Sequence, residues 1–216
     1  VPTAVSIPYV SYEQASELAY FGGNILHPIS MRPLIGTSIP IRIKNSYNPS
    51  HPGTLITSDK SKSTNLVTAI TFKRGIDLID IVSTRMLGQS GFLSSVFSKF
   101  FKYSLSIDMI ATSDVSISLT LDKNQDRNKI NNCIQELDDI SDVTCHRDRA
   151  SISIISDMSL SSEMMAGVFS VLKKEGVKVY MISQGASKVN TGIVVSLEQL
   201  DVSIRALHRH FFENKY

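Results

Sequence analysis

Two nearby stretches carry residue types that could hold an amino acid by its charged ends. In GQSGFLSSVF, Gly91 opens an apolar run. A glycine there lets backbone approach a ligand closely, and the free N–H groups of a first helical turn favour a carboxylate or phosphate. An ordinary glycine turn before a helix fits the same residues. In SIDMIATSD, positions 106, 108, 112 and 114 are polar, while Ile107 and Met109 alternate with them toward the helices. Asp108 is the odd member, since a carboxylate in an apolar strand needs a partner and a bound ammonium would serve. A solvated aspartate on a surface strand is the other reading.

These stretches sit within a repeated unit. VFS at 96–98 recurs at 168–170, and MI at 109–110 recurs at 181–182, both at an offset of 72 residues. The first unit reads as strand 76–83, helix 91–103, strands 106–112 and 115–121, helix 125–138 and strand 142–147. The second reads as strand 149–156, helix 160–174, strands 177–183 and 189–195 and helix 198–212, one strand short of the first. Upstream, IPIRIKN alternates Ile39, Ile41 and Ile43 against Pro40, Arg42 and Lys44, a strand without a sheet. It is expected to complete the second unit, because a missing strand leaves a sheet edge and a helix face uncovered. The expected fold is therefore α+β: two ferredoxin-like βαββαβ modules, the first inserted in the second. In the helix after Gly91, the stripe Phe92, Leu93, Val96, Phe97, Phe100 and Phe101 reads as core.

Ahead of the repeat, SYEQASELAY reads as a short helix capped by Ser11, and FGGNILHP breaks it. SDKSKSTN, residues 58–65, reads as an exposed linker.

The totals narrow the function. With 22 basic and 20 acidic residues, no global field invites nucleic acid or an anionic membrane. An RRM-like RNA-binding sheet is the rival use of βαββαβ, but it needs stacking aromatics on a strand. Here the cluster VFSKFFKY lies on the helix. Cys133 and Cys145 are too few for a disulfide framework, and with His146 they lack metal-ligand spacing, so no metal site is expected. Arg205, His208, Arg209 and His210 read as a helix C-terminus favoured by the macrodipole. The apolar runs fall short of the roughly 20 residues that span a bilayer. The opening VPTAVSIPYV has no Met or basic leader and reads as cut from a longer protein.

The segments SYEQASELAYFGGNILHP, IPIRIKNSYNP, STRMLGQSGFLSSVF, SIDMIATSDVSISLTLD and VYMISQGASKVNTGIVV together resemble the carboxy-terminal half of aspartate kinase. STRMLGQ, ISQGASKVN and ALHRHFFE are most like the monofunctional, lysine-sensitive plant-type enzymes. The resemblance implies that residues 1–36 end an amino-acid-kinase domain. Residues 37–57 would supply the strand completing the second ACT module, with 66–147 the first module and 148–216 the second. It implies a parent enzyme that phosphorylates the side-chain carboxylate of L-aspartate with MgATP, the entry step to lysine, threonine and methionine. This chain lacks the family's amino-terminal catalytic motifs, carries no assigned catalytic residue, metal or cofactor, and is expected not to turn over alone.

The family's effector pocket carries over onto Met86, Gln89, Gly91, Phe92, Leu93, Ser106, Ile107, Asp108, Thr112, Ser113 and Asp114. L-lysine is the implied feedback inhibitor. Asp108 would meet its ammonium, and backbone amides near Phe92 and Leu93 its carboxylate. Relatives usually have Glu where Asp114 stands, position 89 varies, and Asn24 replaces a lysine that many members place near the nucleotide phosphates. Threonine and S-adenosylmethionine are the alternative effectors; Asp114 near Asp108 favours lysine, which brings a second ammonium. A homodimer through the ACT modules is expected, with effector between the first modules of two subunits. Nucleic acid and membrane are not expected partners. The location would be the plastid stroma in a plant or alga, otherwise the cytoplasm.

Overall fold

In the computed structural model, residues 1–22, 27, 30, 33, 37, 39–58, 65–83, 90–185 and 189–213 are described. The elements run β1 (Tyr9–Val10), α1 (Tyr12–Tyr20), β2 (Ile41–Ile43), β3 (Thr54–Ile56), β4 (Val67–Val82), α2 (Phe92–Lys102), β5 (Ile107–Thr112) and β6 (Ser116–Leu121). They continue as α3 (Arg127–Asp138), β7 (Asp142–Ser156), α4 (Ser161–Lys174), β8 (Met181–Ser183), β9 (Asn190–Ser196) and α5 (Leu200–His208). A π-helical turn, Arg209–Glu213, closes the described chain. Among the described residues no helix is long and apolar enough to cross a membrane.

One six-stranded sheet in the order β5-β6-β4-β7-β9-β8 carries both modules. Its two central strands are shared. β4 pairs antiparallel with β7 along nearly its whole length, from Val67 opposite Ser156 to Val82 opposite Asp142. The half of β4 from Ile76 onward joins β6 and β5 in the first module. Its earlier half, Val67–Arg74, instead lies beside the part of β7 that pairs with β9, which in turn pairs with β8. The change of module falls at Gly75 and Asp148, both in the left-handed region with φ of 70° and 54°. The ladder also slips register there, between Arg74 and Leu78. Gly75 takes this conformation without the Cβ penalty that Asp148 bears.

The first module is thus inserted in the second, but the expected donor of the missing strand is corrected. Residues 41–43 pair with β3, and β3 with β1, in a separate three-stranded sheet. Residues 67–74 complete the second module. Their alternation is masked in the sequence because Val67, Thr68, Ala69 and Thr71 are all buried, so both faces of the strand are covered.

Each module packs its helices on one face of the sheet. Ile79, Ile81, Ile117, Leu119 and Leu121 meet Val96, Phe100, Ile130 and Leu137 in the first module. Ala150, Ile152, Ile154, Ile193 and Val195 meet Met164, Val168, Leu172, Leu200 and Leu207 in the second. The helix-free faces turn toward each other. Ile76, Leu78 and Met109 of the first module pack with Met181 and Val194 of the second and with Phe21 from the end of α1. A Cβ on Gly192 would lie 2.7 Å from the Met109 sulfur, which measures how close the two faces come.

The α1 helix is capped as expected: the Ser11 hydroxyl accepts from the Gln14 N–H, and the Gln14 side chain accepts from the Ser11 N–H, a reciprocal capping box. The helix is fastened to the shared strand. Gln14 Nε2 donates to Thr68 Oγ1 at 3.0 Å, and Thr71 Oγ1 donates to the Phe21 carbonyl at 3.1 Å. Asn190 Nδ2 on β9 donates to Glu17 at 2.8 Å.

The apolar stripe of α2 is narrower than expected from the sequence. Val96 and Phe100 are buried, whereas Leu93 and Phe101 are exposed at 41% and 85%.

Candidate functional site

The sequence-predicted site falls into two groups. Met86, Gln89 and Asn24 lie outside the described residues. Gly91 is the N-cap of α2 with φ of 93°, a left-handed conformation, and no side chain caps the helix start. Its carbonyl accepts the Ser95 N–H at 2.9 Å. The first-turn amides of Phe92 and Leu93 therefore have the orientation and partial positive charge that suit an anion. Phe92 packs partly against the first module's core, which holds this turn in place.

The β5–β6 hairpin lies at the same end of the module, because Ser116 is paired with Val82 at the end of β4. Ser113 N–H donates to the Ser116 carbonyl at 2.9 Å, and the Ser113 and Ser116 hydroxyls are 2.7 Å apart. Thr112, Ser113 and Asp114 are exposed around this tight turn.

Ser106, Ile107 and Asp108 form the second group, at the opposite end of β5. The Gln125 side chain clasps the backbone of Ser106, accepting from its N–H at 2.7 Å and donating to its carbonyl at 2.6 Å. A bulge between Ile107 and Met109 breaks the alternation. Ile107 faces the helices, but Met109 packs on the helix-free face, which corrects the expectation that both point to the helices. At a rise of about 3.3 Å per residue, Asp108 and Thr112 are roughly 13 Å apart along the strand. One chain does not bring the predicted residues into a single pocket.

Asp108 is neither unpartnered nor solvated. Its side chain is only 9% exposed, and Lys73 Nζ donates to Oδ2 at 2.9 Å. The Tyr20 hydroxyl, 3.3 Å from Oδ1, donates to the same carboxylate. Lys73 Nζ also stands 3.4 Å from Asp122 Oδ2 and lies over the rings of Tyr20 and Phe21, at 5.0 and 5.6 Å from their centroids. Burial pulls the Lys73 pKa down, but its hydrogen bond to Asp108 and the two carboxylate charges outweigh that and leave it raised. Burial, aided by the Asp108 charge, holds the Tyr20 hydroxyl protonated above its ordinary range. Sequence reasoning missed both partners because they are remote: Lys73 lies 35 and Tyr20 88 residues from Asp108.

The second module has no equivalent of this carboxylate. At the 72-residue offset Asp108 corresponds to Tyr180, whose ring lies beneath the Arg149 guanidinium at 4.4 Å and the Lys178 ammonium at 4.8 Å. A cation-lined aromatic repels a ligand's ammonium rather than holding it. Burial pushes the Cys133 thiol up to about 11, and Cys145 is raised for the same reason, so neither is a ready thiolate. Two cavities, one beside Val10, Ala15, Leu18 and Ile56 and the other beside Ile7, Ile70 and Ile204, include none of the predicted effector residues.

Comparison with known proteins gives a consistent set of relatives. An ACT-domain family model matches residues 152–211. Aspartokinase 2, chloroplastic, of Arabidopsis thaliana is 47% identical over 98% of the chain and 40% of its own length. The structure of Escherichia coli aspartokinase III in complex with lysine and aspartate superposes with a TM-score of 0.83 at 29% identity, covering 98% of this chain and 48% of that one. A carboxy-terminal regulatory domain of aspartate kinase from Porphyromonas gingivalis is 34% identical with a TM-score of 0.58, covering 67% of this chain and 96% of that one. The chain thus spans less than half the length of the first two.

Proposed function

The chain belongs to the aspartokinase family, as its ACT-bearing carboxy-terminal region, and from that premise we propose that it senses L-lysine and relays its presence to a kinase domain. The parent's reaction would be phosphoryl transfer from MgATP to L-aspartate. This region would bind neither nucleotide nor metal and would show no turnover alone. The chloroplast names of its Arabidopsis relatives support a plastid location.

The observation that carries the reading is the division of the site across an edge strand. β5 is the outermost strand of its sheet, with Gly91–Leu93 and Thr112–Asp114 at one end and Ser106–Asp108 at the other. Antiparallel pairing with a second β5, centred on Ile110, sets Asp108 opposite Thr112 of the other copy and Ser106 opposite Asp114. Each end of one chain then completes a pocket with the other end of its partner, giving two equivalent sites per dimer. Ile110, 40% exposed on that edge strand, would be covered. The Ser183 hydroxyl, which donates to the Ile110 carbonyl at 3.1 Å, would give up that acceptor to the new ladder.

In each pocket the α2 amides would take the effector's carboxylate, and Asp108 with Asp114 of the other copy would take its ammonium groups. The E. coli enzyme solved with lysine shares this fold along nearly all of the chain, which supports lysine over threonine or S-adenosylmethionine. Inhibition follows if the lysine-bound dimer favours a state in which the kinase domains work poorly. A coupling of about 1–3 kcal/mol gives roughly 5- to 150-fold inhibition.

Calorimetric titration tests this. L-lysine is expected to bind saturably, with Asp108→Asn weakening it about 10- to 100-fold through loss of a charge-assisted hydrogen bond. Saturable binding of threonine or S-adenosylmethionine with no response to lysine would sink the assignment.

A further inference from the structure

We propose that Lys73 is a tethered stand-in for the effector's ammonium group, holding Asp108 when the pocket is empty and yielding it to an arriving amino acid. The inference rests on the reading that Asp108 receives the effector. Its grounds lie in the chain itself. The group on Asp108 is a primary ammonium at 2.9 Å, the same functional group that L-lysine presents at either end. With its carboxylate side chain 9% exposed, Asp108 has little access to water, so the two ammoniums compete for one acceptor. Both cannot settle there together, because like charges at contact distance repel strongly in a part-buried site.

Lys73 has somewhere to go. Asp122 Oδ2 is already 3.4 Å from Nζ, and the Tyr20 and Phe21 rings face the same ammonium. Release from Asp108 therefore leaves Lys73 with a carboxylate and two aromatic faces, and the exchange does not strand a buried charge.

The exchange also has a mechanical consequence. Tyr20 is the last residue of α1, and its hydroxyl donates to the same carboxylate that would change partners. Phe21 follows it into the core between the modules. Occupancy of the pocket is thereby registered at the end of α1, which packs against the three-stranded sheet through Tyr12 and Ala15. Lys73 is in these terms a positioning and affinity-setting residue: the observed affinity is the intrinsic one reduced by the fraction of time Asp108 is unclaimed.

The test is a set of L-lysine titrations on the 216-residue chain as Lys73→Met, Lys73→Gln, Lys73→Arg and Asp108→Asn. Removing the competitor is expected to tighten lysine binding by about 10-fold in the Met and Gln variants, while Arg keeps the parent's affinity. Asp108→Asn is expected to move the other way. An ion pair that merely braced the pocket would give the same sign from both sides. If Asp108→Asn weakens binding but Lys73→Met and Lys73→Gln leave it unchanged or weaker, Lys73 is a fixed counterion and the inference fails while the effector reading stands. If Asp108→Asn binds lysine as the parent does, or the parent does not bind it, the effector reading fails and the inference with it. The Gln variant, which keeps a polar donor, serves if Met prevents folding.

Discussion

A chain that begins at residue 149 is expected not to fold, and adding residues 67–74 after its last helix through a flexible linker is expected to restore the fold. Among the described residues from 149 onward, the second module has three strands, the end of β7, β8 and β9, and takes its fourth from upstream. That strand is the first half of β4, opposite Arg149–Ser156. Without it β7 loses one complete ladder, the core around Ala150, Ile152 and Ile154 opens on one side, and Val67 is missing from it. A remnant of this size buries too little surface to tolerate that loss. Amide dispersion in NMR spectra distinguishes the outcomes. A well-folded 149–216 chain would show that the shared strands are not what defines the modules.

The second large effect is expected at Phe100. It is 2% exposed and packs among Val96, Ile117, Leu119 and Leu137 of the first module. Phe100→Ala should remove about 3–5 kcal/mol of unfolding free energy, the sum of lost transfer energy and the cavity left behind. Phe101→Ala, one residue on but 85% exposed, should change the stability of the isolated subunit by less than about 0.5 kcal/mol. Because β4 and β7 run through both modules, urea should unfold the Phe100→Ala chain in one transition that removes both. Loss of the first module alone, with the second intact at higher urea, would contradict the shared-strand architecture.

Much of this architecture is legible in the sequence, for physical reasons that differ by element. The helix–strand order follows from periodicity and from the 72-residue offset, since each repeat must bury the same faces. The Ser11 cap is local chemistry and is visible as such. The strand 41–43 is recognisable, but its sheet is not, because alternation specifies a buried face and not the strand beside it. Residues 67–71 hide for the opposite reason: burial on both faces erases the alternation that marks a strand. The site shows the same division. The residue types at Gly91, Asp108 and Asp114 are readable, whereas the Lys73 and Tyr20 contacts to Asp108 depend on the crossing at Gly75 and on how α1 lies over the sheet. The split of the site between the ends of β5 also emerges only once the hairpin end and the start of α2 are seen together at one end of the module.

The most direct test of the central claim, that two copies complete each effector pocket, is a mixed-dimer titration. One chain carries Asp108→Asn with an intact hairpin end; the other carries Asp114→Lys with Asp108 intact. Each is titrated with L-lysine alone and then after mixing under conditions that exchange subunits. Each variant alone should bind at least about 10-fold more weakly than the parent, since both pockets of each homodimer contain one defective half. The mixture should recover binding at about a quarter of the parent's site density, because random pairing makes half the dimers mixed and each of those holds one intact pocket of two. A mixture that exchanges subunits yet binds no more lysine than its components would place the whole pocket within a single chain and contradict the account.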